Sequence, residues 1–164
     1  MIKKNLLNVL GLSTVFMFLF FGCAAKQNSA FLTEMKELLQ KHALVVAYND
    51  GIVKTYDDNG IKPLFKHLES GSFNDAYVFD KITGKASALI LVYGGASQLH
   101  TGVLSKEAIP VLAKYNVKYS ADKITDYILN VPGNDKCPME KMVSNIDDPQ
   151  EAYKVLKKAV QSRK

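Results

Sequence analysis

The sequence predicts an α/β fold, a three-layer α/β/α sandwich with about five strands. Short apolar segments that are typical of buried strands alternate along the chain with segments whose apolar residues recur at helical spacing. In addition, the turn Asn49-Asp50-Gly51 joins two strand segments, 43–48 and 52–56, which indicates a hairpin near the start of the sheet. Together these patterns predict a hairpin followed by strands that alternate with helices.

Two helices are predicted around the hairpin. Apolar residues at helical spacing indicate a helix from Phe31 to about His42, ahead of the first strand. A second helix is expected from Ile61 to Leu68, because Pro63 then lies in the first turn, where proline is tolerated.

The stretch 74–95 forms the centre of the predicted fold. Ala76 to Phe79 is short, apolar and aromatic, as a buried strand should be. Asp80 then stands where an N-cap would satisfy the free amides of a following helix, and Gly94-Gly95 would end that helix. The start of this helix is therefore the first place to look for a site.

The rest of the chain continues the alternation. Leu99 to Leu104 is predicted as a strand and Ser105 as the N-cap of the next helix. Val117 to Tyr119 is expected to be a last short strand, followed by a helical turn over 124–128. Two further helices are predicted to open on a cap followed by proline, at Cys137-Pro138 and Asp148-Pro149.

The first residues predict export. Within residues 1–22, two lysines precede an apolar run, which is typical of a signal peptide. Phe20-Phe21-Gly22-Cys23 is similar to a bacterial lipobox, so Cys23 is the expected lipidation site and 23–30 a short tether. An uncleaved N-terminal anchor is the alternative. Both interpretations hold the domain, 31–164, at a bacterial membrane, facing the periplasm or the cell exterior.

Composition restricts the partners. The formal charge is +5 at pH 7, lysines are scattered among acidic residues, and tryptophan is absent. No nucleic-acid partner is predicted from this balance, and no sequence motif indicates a cofactor. If Cys23 carries lipid, Cys137 remains alone and no intramolecular disulfide is expected.

Four spaced motifs resemble the domain-of-unknown-function family 1893, over about Leu38 to Leu156. They are Gly60-Ile61-Lys62-Pro63-Leu64, Asp80-Lys81-Ile82-Thr83-Gly84-Lys85-Ala86-Ser87-Ala88, Leu104-Ser105-Lys106-Glu107-Ala108 and Cys137-Pro138-Met139-Glu140. This resemblance implies the cytidine-deaminase-like fold, a five-stranded sheet between helices.

The resemblance does not extend to the zinc motif of working deaminases. Those enzymes need His-x-Glu or Cys-x-Glu at one helix start and Pro-Cys-x-x-Cys at the next. Asp80 stands roughly where the first ligand would be, Ser105 opens the helix that would carry the cysteine pair, and Cys137 offers a single sulfur. No metal site is therefore predicted, and a metal-dependent deaminase is the least favoured interpretation.

Cys137 and Asp80 are the candidate catalytic residues. As an N-cap beside Lys136, the Cys137 thiol would face helix amides that favour the thiolate. Glu140, at the third helical position, would either reach back to cap the chain or act on a bound ligand. A small buried apolar residue is the alternative role for Cys137. Asp80 either caps a helix or orients a ligand.

Lys81, Lys85 and Ser105 complete the predicted ligand site. The two lysines are four residues apart, so on one helix face they would hold an anion near the helix start. Solvated surface lysines and a simple serine cap are the alternatives.

These residues lead to two functional hypotheses of different classes. The first is a membrane-tethered lipoprotein whose deaminase-like domain binds a small polar or anionic ligand where several helices start, with thiol chemistry at Cys137 as its enzymatic form. The second is a non-catalytic module that displays a surface to a protein partner.

Overall fold

The computed structural model describes residues 29–162, which fall into two units. Residues 29–36 belong to the first unit and are helical, with the Thr33 hydroxyl donating to the Ser29 carbonyl at 3.0 Å. The second unit begins at Glu37 and contains all the strands. The predicted signal peptide, Cys23 and the tether up to residue 28 lie outside the described residues.

Helices and strands alternate through most of the described chain. Helix α1 spans residues 29–41, and it is followed by β1 Leu44–Tyr48, β2 Val53–Tyr56, α2 Lys62–Ser70, β3 Ala76–Thr83, α3 Lys85–Tyr93, β4 Gln98–Ser105, α4 Ile109–Lys114, β5 Lys118–Thr125, α5 Pro138–Met142 and α6 Pro149–Gln161. Across residues 29–162, none of the helices combines the length and the apolar character that crossing a membrane would require.

The five strands form one mixed sheet in the order β2-β1-β3-β4-β5. Strand β1 is antiparallel to both β2 and β3, whereas β3, β4 and β5 are parallel to one another. Helices flank this sheet, so the predicted α/β fold, a five-stranded sheet in a three-layer α/β/α sandwich, is confirmed.

Strand β3 and helix α3 are the centre of the domain. Strand β3 pairs on both sides, with Asp80 opposite Leu44 of β1 and Thr101 of β4. Helix α3 contacts α2, α4, α5 and α6. Its fully buried residues are Ala86, Ala88, Leu89, Ile90 and Leu91. A helix that is apolar on nearly every side must be surrounded, which explains why the stretch 74–95 organises the fold.

The boundary between β3 and α3 differs from the prediction. Strand β3 continues through Thr83, and α3 begins at Lys85 with Gly84 as its N-cap. Asp80 was therefore wrongly predicted as the N-cap of this helix. The pairing of β3 with β4, which continues through Ile82 and Thr83, and the β-branched character of these two residues extend the strand past the aspartate.

Two predictions at the far side of the sheet were also wrong. Ser105 is the last residue of β4, paired with Thr125, and α4 starts later, at Ile109, with Ala108 as N-cap. Strand β5 extends to Thr125, so part of the predicted helical turn over 124–128 is strand. In both places, strand pairing outweighs the local helical pattern. The predicted starts of α5 and α6, at Cys137 and Asp148, are confirmed.

Candidate functional site

The N-terminus of α3 is occupied by a carboxylate from the same chain. Glu140, on α5, accepts hydrogen bonds from the Lys85 amide at 2.9 Å and the Ala86 amide at 2.8 Å. Its side chain is only 2% exposed. The first amides of a helix have no partner within the helix and attract negative charge. Glu140 satisfies two of them, in the position predicted for an external anion.

Gly84 allows this close approach. An added Cβ at residue 84 would overlap Oε1 of Glu140, so the carboxylate would have to move from its present position. The glycine therefore leaves the space that the carboxylate fills. Helices α3 and α5 are joined at this point by two charge-assisted hydrogen bonds, which are stronger than neutral ones.

Opposing electrostatic effects act on the pKa of Glu140. Burial raises the pKa of Glu140 above its ordinary value, and the Glu107 carboxylate nearby raises it further, whereas the Ala86 and Lys85 amides and the Lys136 ammonium lower this pKa. Burial is the largest of these effects, so the net shift is upward. The same residue is thus a structural cap and a titratable group that is harder to ionise than an exposed glutamate.

Lys85 extends from this helix start into a surface cavity. Its Nζ donates to the Ser144 carbonyl at 2.9 Å and pairs with Oδ1 of Asp147 at 2.8 Å, while its side chain is 11% exposed. The hydrogen bond from Lys85 lowers the pKa of Asp147, so this carboxylate is ionised at neutral pH.

The cavity beside Lys85 has a volume of about 240 Å³. Its lining combines charged and apolar groups: Lys85, Glu107, Pro110, Val111, Ser144 and Asp147. Glu107 is held by Lys136, whose Nζ lies 2.6 Å from Oε1. The cavity therefore offers an ammonium and two carboxylates against one apolar wall.

Cys137 stands one residue after Lys136, at the N-cap of α5. The residue is half-buried and packs against the core, and its side chain makes no capping hydrogen bond. Its backbone amide donates to the Ile128 carbonyl at 2.8 Å. The role of its thiol as a nucleophile stays a prediction.

Asp80 is half-buried inside β3. Its Oδ2 accepts from the Thr83 hydroxyl at 2.9 Å, and its Oδ1 lies 3.4 Å from the Ile82 amide. Burial raises the pKa of Asp80 to about 7, and these hydrogen bonds only partly oppose that shift. Asp80 therefore changes its protonation near neutral pH.

The structure brings together only some of the predicted site residues. Lys85 and Glu140 are in contact, but Lys81 lies in β3 and donates to the Gln40 carbonyl at 3.2 Å. The two lysines therefore do not share a helix face, and that prediction was wrong. The Ser105 hydroxyl accepts from the Ala108 amide at 3.2 Å. Within residues 29–162, no hydrogen bond joins the side chains of Asp80, Ser105 and Cys137 to one another.

The family model for the domain of unknown function DUF1893 matches residues 34–160 of this chain. The chain belongs to the DUF1893 family. A crystal structure of a DUF1893 family protein from Thermotoga maritima, at 2.70 Å resolution, is similar to this chain with a TM-score of 0.69 and 27% identity, covering 81% of this chain and 88% of that one. Among curated proteins, none matches.

Sequence reasoning missed three polar residues that line the cavity of this DUF1893 domain: Glu107, Ser144 and Asp147. Lys136 was identified only as a cation beside Cys137, and its ion pair with Glu107 was not predicted. Glu107 lies inside a motif of the family resemblance, which is the one signal that pointed toward it. Ser144 and Asp147 carry no local signal, because only the packing of α5 against α3 brings them to Lys85.

Residues 29–162 contain no group of three or more His, Cys, Asp or Glu side chains arranged to hold a metal ion. The helix start that follows β3 carries Glu140 and two backbone amides.

Proposed function

We propose that this protein is a membrane-tethered lipoprotein whose DUF1893 domain binds a small polar ligand in the cavity beside Lys85. The cavity itself carries the proposal: it holds Lys85, Glu107 and Asp147 around about 240 Å³. Drug-sized ligands occupy pockets of roughly 300–1,000 Å³, so a smaller metabolite fits this one. The site differs from the one predicted at the α3 N-terminus, because Glu140 already occupies those amides.

The fold is proposed to be cytidine-deaminase-like. Support comes from the order of elements, a helix and a hairpin followed by parallel strands connected through helices. Ligands in such open sheets gather beyond the carboxyl ends of the strands, where Gly84 begins α3. The chain carries only single Asp and Ser residues where the zinc motif would stand, so we propose binding without zinc-dependent deamination.

Ligand binding is tested by screening a metabolite library for thermal stabilisation, since a ligand that binds the folded state raises the melting temperature. Hits are then measured against Ser144→Trp, which fills the cavity from an exposed position. Asn145→Trp is the matched control, because Asn145 is also exposed but does not line the cavity. We expect hits to be lost in the first variant and kept in the second; hits that survive Ser144→Trp would refute this site.

Thiol chemistry at Cys137 is the enzymatic form of this proposal. Its support is position: Cys137 is half-buried and follows Lys136, which is ion-paired to the cavity residue Glu107. Alkylation of the folded protein with iodoacetamide across pH tests it. A Cys137 that reacts only after unfolding would end the thiol hypothesis and leave ligand binding intact.

The lipid anchor is tested separately. Cells expressing the full chain are labelled with a palmitate analogue, with Cys23→Ser as the comparison. We expect label on the wild type alone. Equal labelling of both chains would show that Cys23 is not the lipidated residue.

A non-catalytic interaction module is the second candidate function. One observation favours it: large apolar side chains are exposed at the end of β5 and in the loop that follows, namely Ile124, Tyr127, Leu129 and Val131. Exposed apolar groups in proximity are typical of interaction surfaces. A photocrosslinking residue at Val131, compared with one at Lys158 on α6, tests this function in intact cells. Equal crosslinking at both positions would argue against a specific surface.

A further inference from the structure

The hydrogen bonds around the cavity leave a specific set of acceptors without partners. Oε1 of Glu107 pairs with Lys136, and Oδ1 of Asp147 pairs with Lys85. Within the described chain, Oε2 of Glu107 and Oδ2 of Asp147 take part in no hydrogen bond or ion pair. The Ser144 hydroxyl donates to the Lys141 carbonyl at 3.0 Å, so its oxygen can still accept. Residues that line the cavity thus offer three oxygen acceptors.

The donors are fewer. The Lys85 ammonium has three N–H groups, of which one serves the Ser144 carbonyl and one serves Asp147. One N–H remains. A ligand that matches this lining must therefore donate more hydrogen bonds than it accepts.

The local charge gives an anion no advantage. Lys85, Lys136 and Lys114, which acts on Asp147, supply three positive charges near the cavity, and Glu107, Asp147 and the adjacent Glu140 supply up to three negative ones. An anion would also compete with Asp147 for Lys85. A cation can donate charge-assisted hydrogen bonds to the free carboxylate oxygens, and the contacts of Lys85 stay intact.

We propose that the ligand is a small primary-ammonium compound that also carries a hydrogen-bond acceptor, as amino acids and amino alcohols do. Its three N–H groups match Glu107 Oε2, Asp147 Oδ2 and the Ser144 hydroxyl, and its acceptor takes the remaining N–H of Lys85. An apolar substituent would lie against Pro110 and Val111. This inference rests on the proposed function, because it specifies the ligand class of the same cavity.

The test measures binding of matched probes to the full chain by isothermal titration calorimetry at pH 7. L-Valine and L-valinol carry both groups, isobutylamine lacks the acceptor, 2-hydroxyisovalerate lacks the ammonium, and trimethylated valine lacks the N–H donors. We expect L-valine or L-valinol to bind at least tenfold more tightly than the other three. Binding of valinol but not valine would indicate that the ligand's acceptor is a hydroxyl group. Binding of valine but not valinol would indicate a carboxylate. Equal or tighter binding of 2-hydroxyisovalerate would overturn the inference.

Variants of the two carboxylates give an independent arm. Glu107→Gln and Asp147→Asn keep the side-chain shape at partly exposed positions, where 38% and 74% of the side chain is accessible, so both variants should fold. Each should weaken valine or valinol binding about tenfold or more, as expected for a hydrogen bond to a charged group. Asp126→Asn is the matched control, because Asp126 is also paired to a lysine, Lys106, but does not line the cavity. Unchanged affinity in both cavity variants would refute the ligand class.

The two proposals fail in different ways. Some library hits could be neutral or anionic, lose binding in Ser144→Trp and keep their affinity in Glu107→Gln. Such hits would refute the ammonium ligand and retain the cavity as the binding site. No hit of any class would refute both.

Discussion

Helices α3 and α6 both begin with a carboxylate on their free amides, but the two carboxylates come from very different distances along the chain. At α6, the preceding residue Asp148 accepts from the Glu151 amide at 2.7 Å. At α3, the acceptor is Glu140, 54 residues beyond the Ala86 amide that it binds. The first cap is local and exposed, and the second is tertiary and buried. A helix start that looks available in sequence can therefore be filled by the chain itself.

Removing the tertiary cap should have the largest effect. Glu140→Ala leaves two amides without acceptors and opens a cavity between α3 and α5, so we expect a loss of about 3 kcal/mol in the free energy of unfolding. Urea denaturation followed by circular dichroism measures it. A loss of unfolding free energy no greater than that caused by Asp148→Ala, which removes the local cap of α6, would show that the α3–α5 connection contributes little.

Filling the space at Gly84 should be the next largest effect. Gly84→Ala places a Cβ 2.4 Å from the Glu140 carboxylate, and overpacking of this kind costs about 2 kcal/mol. In a Glu140→Ala background the cost should fall sharply, because the obstructing group is gone. Gly71→Ala is the control, since an added Cβ there meets nothing within 4 Å and the backbone is extended. Additive effects of the two changes would contradict the contact.

Asp80 is a half-buried carboxylate that binds no helix amide, unlike the carboxylates at the starts of α3 and α6. Burial raises its folded-state pKa to about 7, so the native state binds the extra proton and stability is lost as pH rises from about 4 through 7. Asp80→Asn should remove this dependence and be about 1 to 2 kcal/mol more stable than the wild type at pH 8, a value reduced by partial solvent access. Melting temperatures between pH 4 and 8 measure it; parallel curves for the two chains would show that Asp80 titrates normally.

The local cap should have the smallest effect. Asp148→Ala removes one exposed side-chain cap, for which about 1 kcal/mol is typical. Amide hydrogen exchange should increase in the first turn of α6 and remain unchanged in α3. Faster exchange in both helices would mean that the two starts are energetically coupled.

Local patterns were sufficient for most elements of this fold. The hairpin turn at 49–51, the glycines after α3 and the cap-proline pairs at α5 and α6 act over a few residues, so their effect does not depend on the rest of the chain. The helix starts after β3 and β4 were misplaced because pairing with neighbouring strands extended both strands.

Less of the candidate site than of the fold could be predicted from the sequence. Lys85 and Glu140 were both identified, but as parts of one external ligand site rather than as partners of each other. Asp80 and Ser105 were assigned to helix starts that lie elsewhere. Glu107, Ser144 and Asp147 form the cavity only after three separate segments meet.

The sequence by itself determined the layered α/β architecture, the position of its central strand-helix unit and the DUF1893 resemblance, because apolar periodicity, turn residues and spaced motifs are properties of neighbouring residues. Only the tertiary structure decided which charges meet. Glu140 crosses to α3 and Lys85 points to Ser144 and Asp147 because α5 packs on α3. Hydrogen bonds between distant segments depend on that packing, and no local pattern encodes it.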